Sequence, residues 1–212
     1  MLERLWQERA IAILRTPDRE GARVAMEAAI EGGFRVCEFT LGTPGALDLV
    51  RDFSQDERLV VGVGTVLTVE DARAAVEAGA RFLVSPVVDE VVIGVARELG
   101  AASLPGCVTP TELWRAWKAG AELCKLFPAP EPEVLPILLG PMPFLRLVPT
   151  SGVHLGNAAA YLEAGAFAVG FVRPLFDPEA VARRDRDWIT TRARALLAAA
   201  RGPARPADPP QK

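Results

Sequence analysis

A single-domain (β/α)8 barrel is the fold this sequence predicts, and three observations predict it. Eight short apolar, β-branched runs alternate with segments whose apolar residues fall at three- and four-residue spacing. A Gly-Gly-Phe at residues 32–34 and an Ala-Gly-Ala at 78–80, 119–121 and 164–166 recur about every 45 residues, each closing a helix just before a strand. A period of that size spans two strand-helix units, so four periods make eight. An open doubly wound sheet shares the alternation, but the fourfold internal repetition suits closure.

In chain order, strands are predicted at residues 10–15, 36–41, 59–67, 82–87, 102–108, 122–129, 144–150 and 167–172. Helices are expected over 21–33, 68–80, 109–121 and 154–166, each ending in glycine, a favoured terminator. Thr68, Asp89 and Thr109 read as N-caps with acidic residues shortly after. The segment 130–143 carries an internal Pro136 that should end or bend its helix. Residues 177–201 read as one long amphipathic helix rich in arginine and alanine. The organisation expected is a barrel over 1–176, a C-terminal helix over 177–202 and a frayed tail over 203–212.

Lys and Arg total 24 against 27 Asp and Glu, a formal net charge of −3, and half of the residues are hydrophobic. No run approaches the roughly 18 consecutive apolar residues of a membrane span, and the chain opens on the charged MLERLWQER rather than on a leader pattern. Without a basic block, nucleic acid is not an expected partner. The expectation is a cytoplasmic protein acting on a small molecule. Cys37, Cys107 and Cys124 form no CxxC pair and read as reduced thiols. His154 is the sole histidine, so neither a zinc site nor any other metal is expected. The only lysines are Lys118, Lys125 and Lys212, and Asn157 is the sole asparagine, a bias that fits a GC-rich genome or heat adaptation equally.

In such a barrel, reactive side chains stand near the C-terminal ends of the strands. On the sixth predicted strand Leu123, Lys125 and Phe127 share one face. A lysine buried in apolar surroundings has a lowered pKa, which is what a neutral amine nucleophile for Schiff-base chemistry needs. The competing reading is a lysine paired with a carboxylate or reaching to the barrel mouth. Val36, Glu38 and Thr40 share a face of the second strand, so Glu38 is a carboxylate inside an apolar run. It is either a general acid/base opposite Lys125 or one half of a structural ion pair. Arg15 and Thr65, at the ends of strands one and three, both suit an anionic group of the substrate, with Gly62 and Gly64 letting backbone come close. Strand seven runs through Thr150, Ser151 and Gly152 into a helix starting near Gly156, whose amides could hold an anion. Arg173 after strand eight either adds charge there or faces solvent. Pro86, Pro105, Pro128 and Pro149 read as scaffold at strand ends.

These residues together resemble the family of 2-keto-3-deoxy-6-phosphogluconate (KDPG) aldolases, also described as 4-hydroxy-2-oxoglutarate (KHG) aldolases. The likeness rests on Ile13-Leu14-Arg15, Glu38-Phe39-Thr40-Leu41, Gly62-Val63-Gly64-Thr65-Val66, Ser85-Pro86, Leu104-Pro105-Gly106-Cys107-Val108-Thr109-Pro110, Lys125-Leu126-Phe127-Pro128-Ala129 and Pro149-Thr150-Ser151-Gly152-Val153. It implies a class I aldolase that cleaves KDPG to pyruvate and glyceraldehyde 3-phosphate, KHG to pyruvate and glyoxylate, or both. Lys125 would be the Schiff-base lysine, Glu38 the acid/base, and Thr65, Pro86, Arg15 and Phe127 pocket residues. It also implies a homotrimer and no cofactor, because the protonated imine is itself the electron sink. Three departures from the family pattern stand out. Gly42 stands where Thr-Leu-Arg-Thr has its arginine, Ser151 replaces a glycine of Pro-Thr-Gly-Gly, and Val172-Arg173 replaces a glycine-serine pair. These departures keep two other readings open: an aldolase for an unphosphorylated or differently configured 2-keto-3-deoxy acid, or a non-covalent phosphosugar isomerase, epimerase or binding barrel.

Overall fold

Strand and helix alternate along the whole computed structural model, which describes residues 1–201. The order is α1 (Leu2–Glu8), β1 (Ala10–Leu14), α2 (Arg19–Glu31), β2 (Val36–Thr40), α3 (Ala46–Phe53), β3 (Val60–Gly64), α4 (Val69–Glu77), β4 (Phe82–Ser85) and α5 (Glu90–Glu98). It continues with β5 (Ala102–Cys107), α6 (Pro110–Ala119), β6 (Cys124–Leu126), α7 (Val134–Leu139), β7 (Leu147–Pro149), α8 (Ala158–Glu163), β8 (Val169–Phe171), α9 (Pro178–Ala182) and α10 (Arg186–Ala200).

All eight strands are parallel, in the order β7-β6-β5-β4-β3-β2-β1-β8. A bridge between Thr150 and Gly170, and the Phe167 N–H donating to the Leu147 carbonyl at 2.8 Å, bring β7 and β8 together and complete the barrel. Helix starts follow the capping chemistry expected of them. Thr68 and Thr109 make full capping boxes with Asp71 and Glu112, and the Asp89 carboxylate accepts from the Val91 and Val92 amides.

The period-two alternation divides the core in two. Outward residues such as Leu14, Phe39, Val63, Leu126 and Phe171 pack against the alanine-rich faces of the helices. Inward residues Ile11, Ile13, Val36, Phe82, Val84, Leu104, Leu123 and Val148 fill the barrel axis. Leu5 of α1 joins this inner cluster at 1% exposure, and Trp6 lies 5.0 Å from the Phe167 ring. Helix α1, which the sequence reading missed, therefore plugs the N-terminal end of the barrel. Leu5→Ala is expected to destabilise the protein by about 2–5 kcal/mol in a denaturant titration, since it empties a buried position of the inner cluster.

Other expectations need correction. The single helix expected over 177–201 is two, because Arg184 takes a left-handed φ of 55° and Asp185 caps a fresh start at the Trp188 amide. Helix α7 is neither ended nor bent by Pro136, which sits in its first turn, where the amide it lacks has no partner to lose. Strand β3 stops at Gly64 instead of running to residue 67, because Thr65 turns left-handed at φ 63°. Strands β6, β7 and β8 are three residues each, shorter than their apolar runs. The expected tail over 203–212 lies outside the described residues.

Candidate active site at the C-terminal mouth of the barrel

Strands β2 and β6 stand four apart in the eight-stranded ring, so they face each other across its diameter. Each contributes one charged side chain to the interior, Glu38 and Lys125, at the level just above the apolar plug of the axis. Both line one cavity of about 360 Å³ open at the C-terminal mouth. All ten residues singled out in the sequence line it: Lys125, Glu38, Arg15, Thr65, Pro86, Phe127, Thr150, Ser151, Gly152 and Arg173. The alternation explains this convergence, since inward positions two residues apart climb each strand toward the mouth.

Lys125 is 8% exposed, with its Nζ 4.6 Å from the centroid of the Phe127 ring. Burial holds its amine below the ordinary lysine range. The Glu38 carboxylate works against that shift, and the Arg15 guanidinium reinforces it. Glu38 is 1% exposed, and burial pushes its carboxyl above the usual range against the opposing pull of Lys125 and then Arg15. Its Oε2 has no hydrogen-bond partner among the described residues, a costly state for a buried carboxylate. A methyl group on Gly64 would overlap Glu38 Oε1, so the glycine in β3 is what makes room for the carboxylate.

The mouth is built from strand ends. Arg15 follows β1 and donates from Nη2 to Thr65 Oγ1 at 2.9 Å. Thr65 and Ser151 are both non-glycine residues with positive φ, 63° and 65°, and both line the cavity. For β-branched Thr65 that conformation costs on the order of 1–3 kcal/mol, a strain that clusters at binding sites. Thr150 is buried and its hydroxyl donates to the Val148 carbonyl at 3.4 Å. Arg173 is exposed at the rim between this cavity and a second one walled by Phe176 and Val181.

The amides that could hold an anion before α8 are those of the segment 151–153, which lines the cavity, and not those next to the helix itself. The helix begins at Ala158, and the preceding amides are already engaged: His154 N–H donates to Asn157 Oδ1 at 2.7 Å and Gly156 N–H to His154 Nδ1 at 3.1 Å. His154 is exposed and outside the cavity. Thr40, which also lines the cavity, was not picked out as a site residue, although it lies two positions beyond Glu38 on the same strand face. Ile13, Val172 and Pro174 are further lining residues with no chemical signature in the sequence. The three cysteines are buried and unpaired. Chemically, the site offers an amine whose pKa burial lowers, a buried carboxylate facing it, and guanidinium charge at the rim.

Residues 1–192 match the family described as "Aldolase: KDPG and KHG aldolase". The chain is 35% identical to the 2-dehydro-3-deoxy-phosphogluconate aldolase of Pseudomonas aeruginosa, across 88% of this chain and 86% of that one. It is 32% identical to the KHG/KDPG aldolase of Escherichia coli, across 82% and 84%. Among solved structures, a KDPG aldolase from Legionella pneumophila, with pyruvate captured at low pH as a covalent carbinolamine intermediate, superposes with a TM-score of 0.81 at 26% identity, covering 92% of this chain and 98% of that one.

Proposed function

Because the chain belongs to the KDPG and KHG aldolase family and is therefore a carbon-carbon lyase of the class I pyruvate type, we propose that Lys125 is its Schiff-base nucleophile and Glu38 its general acid/base. The observation that carries this assignment is the buried lysine facing, across the barrel, a buried carboxylate whose Oε2 is unpartnered.

Neutral Lys125 attacks the C2 ketone of a 4-hydroxy-2-keto acid, giving a carbinolamine that loses water to an iminium. Glu38 takes the proton of the C4 hydroxyl, the C3–C4 bond breaks, and its electron pair passes to the iminium nitrogen, leaving an enamine. The aldehyde departs. Protonation of the enamine at C3 and hydrolysis of the resulting iminium release pyruvate and regenerate the amine. Phe127 and Pro86 wall the keto-acid end, while Thr150, Ser151, Gly152 and Arg173 border the aldehyde end. The substrates proposed are KDPG, yielding glyceraldehyde 3-phosphate, and KHG, yielding glyoxylate.

The test is incubation with pyruvate and borohydride, followed by intact mass and peptide mapping. A reduced pyruvyl adduct on Lys125 is expected, and a folded, pyruvate-binding protein without one would overturn the assignment.

A second reading, a preference for an unphosphorylated or differently configured keto acid, is favoured by Ser151 and Arg173 standing where the family carries glycine and serine. Cleavage rates with and without the 6-phosphate separate the two. The chain is further proposed to act as a homotrimer in the cytoplasm. Exposed Val91, Val108 and Trp114 support an assembly, and three buried, unpaired cysteines support a reducing compartment.

A further inference from the structure

Beside the reaction cavity lies a second one of about 470 Å³, and the two share Arg15, Val172 and Arg173 along one edge. That edge stands over β1 and β8, which are neighbours in the ring, so the second cavity opens off the side of the mouth to which the aldehyde end is assigned above. Its other walls come from the loop after β1 and from the segment and helix after β8. There Phe176 and Val181 are buried, and Pro17, Pro178 and Ala182 complete an apolar lining. The polar side chains of these walls are already engaged. Thr16 Oγ1 accepts from the Asp18 N–H at 3.3 Å, and the Asp18 carboxylate accepts from the Glu20 N–H at 3.1 Å and pairs with Arg184 at 3.6 Å. Past the shared arginines, a polyol or a second anion would therefore leave its polar groups poorly matched, whereas carbon would meet carbon. The reaction cavity differs in kind, since Lys125, Glu38 and the hydroxyls of Thr40, Thr65, Thr150 and Ser151 line it.

Resting on the aldolase reading, we propose that this side cavity is a subsite for an apolar tail on the aldehyde half, so that the substrates include 4-hydroxy-2-keto acids whose C4 carries a hydrocarbon chain. In the synthetic direction, C3 of the pyruvate enamine on Lys125 bonds to the aldehyde carbon and the aldehyde oxygen takes the proton held by Glu38. Water then hydrolyses the iminium and frees the amine. The tail beyond C4 passes Val172 and settles against Phe176 and Val181. The two arginines at the shared edge are no obstacle to it, because their stems are hydrocarbon up to the guanidinium.

Aldol addition of pyruvate to straight-chain aldehydes, followed by chromatography of the products, tests this directly. The kcat/KM for the aldehyde is expected to rise by up to about fourfold per methylene from propanal to hexanal, the effect of burying one methylene group. Ala182→Trp and Pro17→Trp each fill the cavity from an exposed position, one on each wall. Both should flatten the series while leaving the propanal rate and the pyruvate-borohydride adduct unchanged, and the retained adduct shows that the variants are folded. A flat series in a wild type that forms the adduct, or a rise that survives in both variants, would overturn the inference alone. Absence of the adduct in the wild type would overturn the aldolase reading, and the inference with it.

Discussion

Lys125→Arg is expected to retain the barrel and lose turnover by roughly 10⁶-fold, the size of effect seen when a covalent nucleophile is removed. Arginine keeps the positive charge and much of the length but stays protonated throughout the accessible pH range, so it has no lone pair for the ketone. The borohydride adduct should vanish with it, and an active variant would refute the imine mechanism. Lys125→Met is the companion variant for the fold. The lysine's pKa is lowered in the folded state, so its favourable contribution to stability is fully present above the ordinary value of ~10.4 and is lost as pH falls through the depressed one. Replacing it with an uncharged side chain should therefore raise the thermal midpoint relative to wild type on the acid side. The difference should shrink as pH rises, a pattern that a scan of melting temperature against pH would read directly. The same depression sets the activity profile, whose acid limb should fall below the range of a solvent-exposed amine.

Glu38→Gln should slow cleavage by roughly 10²- to 10⁴-fold, the usual contribution of a positioned general base. Glutamine fills the space that Gly64 leaves for the carboxylate, so the loss reports on proton transfer and not on packing. Imine formation should respond differently. Glu38 raises the Lys125 pKa by attraction, and removing its charge lowers that pKa further, so the acid limb of pyruvate trapping by borohydride should shift to lower pH. Persistent trapping with slow cleavage is the expected combination, measured by single-turnover mass spectrometry alongside a steady-state assay. A cleavage rate within threefold of wild type would move the base role elsewhere in the cavity, with Thr40, Thr65, Thr150 and Ser151 the hydroxyls to test.

Much of this site was readable because a charge inside an apolar strand has few places to go. Lys125 and Glu38 each interrupt a hydrophobic run, and period-two alternation groups each with the residues of one strand face, which the structure turns inward. The fourfold glycine spacing likewise pointed to eight strands, because each glycine ends a helix whose next residues must enter the barrel. What stayed hidden depends on contacts between distant parts of the chain. Helix α1 is seven residues with a charged appearance, and its burial arises only when a barrel end exists to be filled. The apolar run through residues 59–67 gives no sign that Thr65 will turn left-handed to meet Arg15, fifty positions earlier. Nor does the sequence show that, just before α8, Asn157 and His154 take up the amides of His154 and Gly156. Local hydrogen bonding of this kind is what short polar side chains do at helix starts.

The seal that α1 places under the barrel has a consequence for the order of events in time. With Leu5 and the inner apolar cluster filling one end, the cavity opens at the other, past a rim that includes Arg173 and Ser151. On the proposed mechanism, the fragment fixed to Lys125 lies at the inner end, and the aldehyde is released between it and the exit. Departure is thus sequential by construction, aldehyde first and pyruvate last. In the synthetic direction the queue reverses, so an aldehyde that arrives early only blocks the way of the keto acid that must precede it.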